Sequence, residues 1–177
     1  MRNPPIIISA FADGRVWLRG RWVRCALGRA GVIAAPLKRE GDGATPAGLW
    51  TMREVLWRSD RRQRPETRLP VRALSRDDGW CDAPGDAHYN RAVRLPHSAS
   101  AEHLFREDDI YDVIVVLGYN DRPVTDGAGS AIFLHMARAD YGATQGCVGL
   151  SAPDLLEALT FAAPGAQLLV SADPSGA

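Results

Sequence analysis

Two side chains of this sequence combine the residue types that carry out nucleophilic catalysis. Cys147 follows a loop and a glycine, Gly146, and begins a short apolar segment, whereas His135 ends another apolar segment twelve residues earlier. A neighbouring imidazole can lower the pKa of a thiol, take up its proton and later protonate a leaving amine. The N–H groups of Gly146 and Cys147 could stabilise an oxyanion, because glycine allows unusual backbone angles and close substrate approach. Spacing alone leaves two interpretations open, a catalytic pair and an inert buried thiol.

The three cysteines predict no disulfide framework, because their number is odd and no CxxC pair occurs. Cys25 has apolar neighbours in a strand-like segment, which predicts an inert buried thiol. Cys81, His88, His97 and His103 offer zinc-ligand types, but gaps of six, eight and five residues match no short ligand motif. We therefore interpret the histidines as ordinary surface or loop residues and expect no metal.

Hydrophobic patterning predicts mostly β structure, with both candidate catalytic side chains at strand ends. The nearly continuous apolar run 111–119 is rich in β-branched residues and is typical of a central strand covered on both faces. Functional side chains commonly lie where strands meet loops, since a rigid scaffold positions them there. The predicted strands are 6–8, 15–18, 21–27, 49–57, 111–119, 131–136, 147–150 and 167–171.

Helices are predicted at only a few places. Ser151 with Asp154 approximates a capping box and predicts a helix that begins there, followed by the last strand. A short helix is also predicted over 101–107, because Ser98 or Ser100 could cap it. The element order indicates a mostly β protein with two or three helices.

Charge and composition exclude several classes of protein. The 177 residues are 46% hydrophobic, and 21 basic side chains balance 21 acidic ones, so the net charge is zero. Nucleic acid is not an expected partner, because phosphate binding needs a positive excess. The longest apolar run, 113–119, is far shorter than the roughly 18–20 residues of a membrane-spanning helix. Without a repeat or composition shift, 1–172 is predicted to be a single domain and 173–177 a loose tail.

Several blocks of the sequence resemble one known family, in the order in which that family has them. Gly129-Ser-Ala-Ile-Phe-Leu-His135 and Thr144-Gln-Gly-Cys-Val-Gly-Leu-Ser151 resemble the catalytic motif of the L,D-transpeptidase catalytic-domain family, the YkuD type. Thr45-Pro-Ala-Gly-Leu-Trp50 resembles its Thr-Pro-x-Gly-aromatic segment. The resemblance covers about residues 5–172. The blocks 78–82, 89–94 and 111–120 further resemble a compact bacterial branch.

The resemblance implies a fold and a reaction. The fold would be mainly β (α+β), a β-sandwich or open barrel with two or three peripheral helices, acting as a monomer without metal or organic cofactor. The substrate would be a peptidoglycan stem peptide, whose third residue would acylate Cys147 as its terminal D-alanine leaves. The acyl group would pass to an amine, giving a cross-link, or to water, giving an L,D-carboxypeptidase. His135 would be general base and acid, Gly146 an oxyanion donor, and Thr144, Gln145, Tyr119 and Asn120 would contact substrate.

Two positions depart from the family pattern. Gln145 stands where the family commonly has histidine, and Gly149 where a polar or basic residue is frequent. Glutamine cannot titrate. We therefore expect the two changes to affect use of the acyl acceptor or binding of the substrate, and not formation of the acyl-enzyme. The family implies a periplasmic or cell-envelope location, although 1–12 lacks the roughly 7–15 apolar residues of a signal peptide.

Two other functions stay open at this stage. One is a non-catalytic module that binds cell-wall peptides with the same fold, and the other is a general cysteine peptidase for all-L peptides. The zero net charge also conceals segregation, since 53–76 carries eight arginines and three acidic residues, whereas 77–126 carries four basic and eleven acidic ones. Arginine binds carboxylates with a two-pronged fork, so some arginines of 53–76 are predicted to face the substrate groove; a solvated loop is the alternative.

Overall fold

A computed structural model describes residues 5–173, so the tail predicted at 173–177 lies outside the described residues apart from Asp173. One α-helix, α1 (Ala152–Phe161), and one 3-10 turn (Ala35–Leu37) accompany the strands in this part of the chain. The strands are β1 (Ile6–Phe11), β2 (Arg15–Leu18), β3 (Arg21–Ala26), β4 (Val32–Ala34), β5 (Thr45–Trp57), β6 (Val71–Ala73), β7 (Asp78–Cys81), β8 (Ala92–Arg94), β9 (Ala101–His103), β10 (Val113–Leu117), β11 (Phe133–Met136), β12 (Val148–Leu150) and β13 (Gln167–Ser171).

The main sheet closes into a barrel, which confirms the mainly β fold class. Its strands follow the order β10-β11-β12-β3-β2-β1-β13-β5, and β5 pairs back with β10. Closure depends on the length of β5, which has 13 residues. Residues 48–51 of β5 pair with β13, and residues 52–57 pair with β10. One long strand therefore joins the two edges of the sheet, which removes them from solvent.

Alternation along β11 divides its side chains between two cores. Leu134 and Met136 belong to the main core of the barrel, whereas Phe133 belongs to a second core that also contains Cys147. His135 shares the face of Phe133, because successive side chains of a strand point to opposite sides. Tyr111 contacts both of these rings, with centroid distances of 6.1 Å to Phe133 and 5.2 Å to His135.

A small three-stranded sheet, ordered β8-β7-β9, contributes to the second core. Trp80 of β7 packs edge-on against Phe133 with ring centroids 5.1 Å apart. The helix predicted over 101–107 is wrong, because 101–103 form β9 and pair antiparallel with β7. Serine before an apolar stretch is a local capping signal, and pairing with a distant strand overrides it. The expected two or three helices are accordingly one α-helix and one 3-10 turn within 5–173.

The helix predicted from the capping box is confirmed. The N–H of Asp154 donates to Ser151 Oγ at 3.2 Å, and Leu155 is buried in the barrel core. Cys25 is also buried in that core, as its strand pattern predicts. No helix within residues 5–173 is long and apolar enough to cross a membrane.

Candidate active site

Neighbouring parallel strands bring the two candidate catalytic side chains to one face of the barrel. Leu134 of β11 pairs with Val148 of β12, which places Cys147 beside Phe133, two residues before His135. The N–H of Phe133 donates to Cys147 Sγ at 3.3 Å. Both Cys147 and His135 line one cavity of about 440 Å³.

The thiol of Cys147 is buried and protonated in the resting protein. Only 7% of the residue is exposed. Its Sγ donates to the backbone carbonyl of Ala131 at 3.2 Å, a bond that requires the proton on sulfur. Burial, and after it the negative charge of Glu102, raises the pKa of Cys147 to about 12. His135 is not among the main causes of this shift, so a lowering of the thiol pKa by the imidazole stays a prediction.

His135 is neutral and held in one tautomer. Its Nδ1 lies 2.9 Å from the carbonyl oxygen of Met136, which can only accept, so Nδ1 carries the proton. The remaining nitrogen, Nε2, then keeps a free lone pair and can act as a base. Burial lowers the pKa of His135 to about 4, so the ring stays neutral near pH 7.

The loop before Cys147 is held by the hydroxyl of Thr144. This oxygen accepts from the Gly146 N–H at 3.1 Å and donates to the Cys147 carbonyl at 2.7 Å. An oxyanion would thus compete with Thr144 for the Gly146 N–H. Gly146 has φ +133°, and a Cβ there would lie 2.8 Å from the backbone oxygen of Ala44, so only glycine fits.

The Thr45-Pro46 segment braces this loop from the other side. Thr45 is fully buried, and its hydroxyl accepts from the N–H of Gly28 at 2.8 Å. The next residue, Arg29, donates its N–H to the Thr144 carbonyl at 2.9 Å. The start of β5 therefore contributes to the candidate site through the backbone that positions the loop before Cys147.

The structure brings Thr144 and Gln145 into the cavity but not Tyr119 and Asn120. Asn120 Nδ2 donates to the Gly129 carbonyl at 2.9 Å, and the Tyr119 hydroxyl donates to the Ala128 carbonyl. Both side chains therefore brace the loop that leads to β11, instead of facing the cavity as expected from the resemblance.

Charged side chains that the sequence did not single out for the site line the same cavity. Glu102 accepts a hydrogen bond from the Tyr111 hydroxyl at 2.7 Å, and burial raises the pKa of its carboxyl. Lys38, the only lysine, is 2% exposed and donates to Asp42 at 2.5 Å. The only sequence feature that could have drawn attention to Lys38 is that the chain has no other lysine. Other charged groups at the cavity are Glu40, Asp82, Arg106 and Arg138.

The arginines of 53–76 do not line this cavity, so their predicted place in the groove is wrong. Several are engaged by acidic residues elsewhere, as in Arg62 with Asp112 at 3.0 Å and Arg72 with Asp78 at 2.7 Å. The charge segregation along the chain is thus partly neutralised by ion pairs across the fold.

Comparison with known proteins identifies a family and no individual relative. Neither the curated proteins nor the solved structures include a match to this chain. The family model of the L,D-transpeptidase catalytic domain, YkuD, matches residues 7–170, nearly the whole chain. The match includes both side chains of the buried thiol and imidazole pair. The chain therefore belongs to the L,D-transpeptidase catalytic-domain family.

Proposed function

We propose that this protein is a cysteine-dependent L,D-transpeptidase that acts on peptidoglycan stem peptides through a thioester on Cys147. The observation that carries the proposal is that Cys147 and His135 line one cavity, with His135 fixed in the tautomer that leaves Nε2 free. A neutral thiol and a neutral imidazole are the correct starting states for general-base catalysis.

The first half-reaction transfers one proton as one bond forms. Sγ of Cys147 attacks the carbonyl carbon of the third stem residue, and His135 Nε2 takes the thiol proton. The oxyanion accepts hydrogen bonds from the Cys147 N–H and from the Gly146 N–H. The Gly146 N–H breaks its hydrogen bond to Thr144 as the oxyanion forms. One such donor commonly stabilises the transition state by about 3–4 kcal/mol. Collapse breaks the C–N bond, His135 returns its proton to the departing D-alanine amine, and the thioester remains.

The second half-reaction reverses these steps with a different nucleophile. An amine of another stem, or water, attacks the thioester carbon and gives a proton to His135. The C–S bond breaks, and the proton returns to the sulfur of Cys147. The exposed Gln145 at the cavity cannot titrate, so His135 is the base in both half-reactions.

The mixed charge of the cavity wall supports a substrate that carries both signs. A diamino acid in the third stem position has an ammonium and a carboxylate, and the terminal D-alanine has a second carboxylate. Arg106 and Arg138 offer cations to carboxylates, and Glu102 and Asp82 offer carboxylates to an ammonium. The guanidinium of Arg106 already holds Asp108 at 2.7 Å, so Arg138 is the more available of the two.

Product analysis tests the proposal. The protein is incubated with tetrapeptide stems, and the products are identified by mass spectrometry. Cross-linked dimers mean transpeptidase activity, and tripeptides alone mean carboxypeptidase activity. Cys147→Ser should abolish both products, whereas Cys25→Ser, which changes a buried thiol outside the cavity, should retain them. Absence of both products, with no acyl adduct on Cys147, contradicts the proposal.

A second candidate is a peptide-binding module without catalysis. The observation that favours it is the low exposure of Cys147 and its raised pKa, which fit an unreactive thiol. This module would bind stem peptides without an adduct, and Cys147→Ser would leave the affinity unchanged. The same incubation, combined with a binding measurement on both proteins, separates the two functions.

A further inference from the structure

Three metal-ligating side chains meet at the small sheet, outside the catalytic cavity. They are Cys81, Asp86 and His97, and one ligand atom from each lies within 4.8 Å of the other two. Cys81 ends β7, Asp86 lies in the loop between β7 and β8, and His97 follows β8. Sequence spacing hides this arrangement, because the fold of the loop, not a short motif, brings the three together.

The cluster contains a buried nitrogen that has no hydrogen-bond partner. Nε2 of His97 is inaccessible to solvent and makes no hydrogen bond within the described residues. It lies 3.5 Å from Asp86 Oδ1, and the thiol of Cys81, which is fully buried and in no disulfide, interacts with the same carboxylate. Buried polar groups are normally satisfied, so a nitrogen without a well-formed hydrogen bond, beside a thiol and a carboxylate, points to an absent ligand.

The donor set selects the class of metal. Sulfur, imidazole nitrogen and carboxylate oxygen are the ligands of Zn²⁺, whereas Mg²⁺ and Ca²⁺ take oxygen ligands. Zinc bonds of about 2.3 Å to sulfur and about 2.0 Å to nitrogen hold tetrahedral ligand atoms about 3.5 Å apart. The present spacing needs only small side-chain adjustments to reach that geometry.

His88 can supply a fourth donor. Its Nδ1 lies 3.3 Å from Asp86 Oδ1, and its ring centroid lies 5.5 Å from that of His97. His88 is exposed and can rotate towards the other three. A closed set of four protein ligands is typical of a structural zinc site.

We infer that Cys81, Asp86 and His97, with His88 as fourth ligand, bind one structural Zn²⁺ ion that fastens the loop between β7 and β8. The Cys81 thiol gives up its proton to solvent when the metal binds, as zinc thiolates require. The site is separate from Cys147, because none of the four ligands lines the catalytic cavity.

The fastened loop leads directly to a residue that supports the catalytic site. Asn90, at the end of this loop, accepts from the Trp80 indole N–H at 2.9 Å and from the Ala131 N–H at 3.1 Å. Ala131 in turn accepts the hydrogen bond of the Cys147 thiol. Zinc at this position would stabilise the wall of the catalytic cavity without contacting substrate.

Metal titration of the full chain tests the inference. The protein is stripped with a chelator, Zn²⁺ is added, and bound metal is measured by elemental analysis after desalting. We expect one equivalent of zinc and a rise of at least about 5 °C in Tm. Co²⁺ in place of Zn²⁺ should give the near-ultraviolet charge-transfer absorption of a cobalt thiolate.

Matched variants assign the ligands. Cys81→Ser should abolish the cobalt–thiolate absorption, whereas Cys25→Ser and Cys147→Ser should retain it. His97→Gln and Asp86→Asn should each weaken zinc binding by at least about tenfold, and His103→Gln, outside the cluster, should not. If Cys81→Ser does not fold, His97→Gln, Asp86→Asn and the control His103→Gln decide whether the cluster binds zinc. Zinc binding that is absent, or that His97→Gln and Asp86→Asn leave unchanged, overturns the inference.

Discussion

The thiol of Cys147 donates a hydrogen bond to the backbone carbonyl of Ala131, 3.2 Å away. Ala131 holds that carbonyl in place with a φ of +51°, a conformation that non-glycine residues rarely adopt. Its N–H is fixed in turn by Asn90. Because this bond uses the thiol proton, the resting thiol is neutral, as is the His135 imidazole that lines the same cavity. Under the proposed function the thiol would be activated when substrate binds, and four further expectations follow from this arrangement and its surroundings.

The acid limb of catalysis should lie unusually low on the pH scale. Burial lowers the pKa of His135 to about 4, from a reference of 6.5. The base is lost only when His135 is protonated, so kcat/KM for acylation should stay level from pH 7 down to about 5 and fall towards pH 4. A pH profile of thioester formation measures this. An inflection at pH 6–7 would contradict a buried neutral imidazole.

The same histidine should make folding stability depend on pH. Its folded pKa is below the unfolded value, so the unfolded chain binds more protons between about pH 6.5 and 4, and stability is lost as pH falls through that window. Between pH 7 and 5 the loss from His135 should be roughly 2 kcal/mol. Urea unfolding at both pH values, compared with His135→Gln, isolates the contribution. Equal losses in both proteins would be inconsistent with it.

A methyl group at Gly146 should disrupt the catalytic loop. The new Cβ would meet the Ala44 backbone oxygen at 2.8 Å, with φ at +133°. Gly146→Ala should therefore cost roughly 3 kcal/mol in unfolding free energy and abolish acylation. Gly127→Ala is the matched control, because Gly127 also has a positive φ, +70°, but open space around its Cβ position. It should cost only about 1–2 kcal/mol; equal effects would argue against the proposed contact.

Removal of the charge on Glu102 should make Cys147 more reactive. Burial is the main cause of the raised pKa of this thiol, and the Glu102 carboxylate is the next. Glu102→Gln should lower that pKa and speed iodoacetamide labelling of Cys147 at pH 9 by roughly threefold to tenfold. Peptide mapping identifies the labelled cysteine. Glu107→Gln, at an exposed acidic position, should leave the rate unchanged, and no increase in Glu102→Gln would refute the coupling.

Local sequence patterns predict the elements that depend only on residues close together in the chain. The Ser151 cap, the burial of Cys25 on one face of its strand and the covered central strand 113–117 follow from capping chemistry and hydrophobic period. The failure over 101–107 has the opposite origin, since β9 exists through its pairing with β7. Local sequence patterns also could not predict the closure of the barrel, because closure depends on which strands pair with each half of β5.

The candidate site shows the same division. Motif resemblance singled out Cys147, His135, Thr144 and Gln145, all of which line the cavity. It also singled out Tyr119 and Asn120, which brace a loop instead, because nearness in sequence to a strand exit does not determine where a side chain points. Glu102 and Asp86 were not singled out, and Cys81, His88 and His97 were dismissed as metal ligands on their spacing, because their placement depends on contacts between distant segments.

The central claim is that Cys147 forms a thioester with a stem peptide, and intact-protein mass spectrometry tests it most directly. The protein is mixed with tetrapeptide stem, quenched in acid within one turnover, and digested to locate the adduct. We expect the mass of the tripeptide acyl group on Cys147, absent in Cys147→Ser and strongly reduced in His135→Gln. Unmodified Cys147, in a folded protein that binds the stem, would contradict the account.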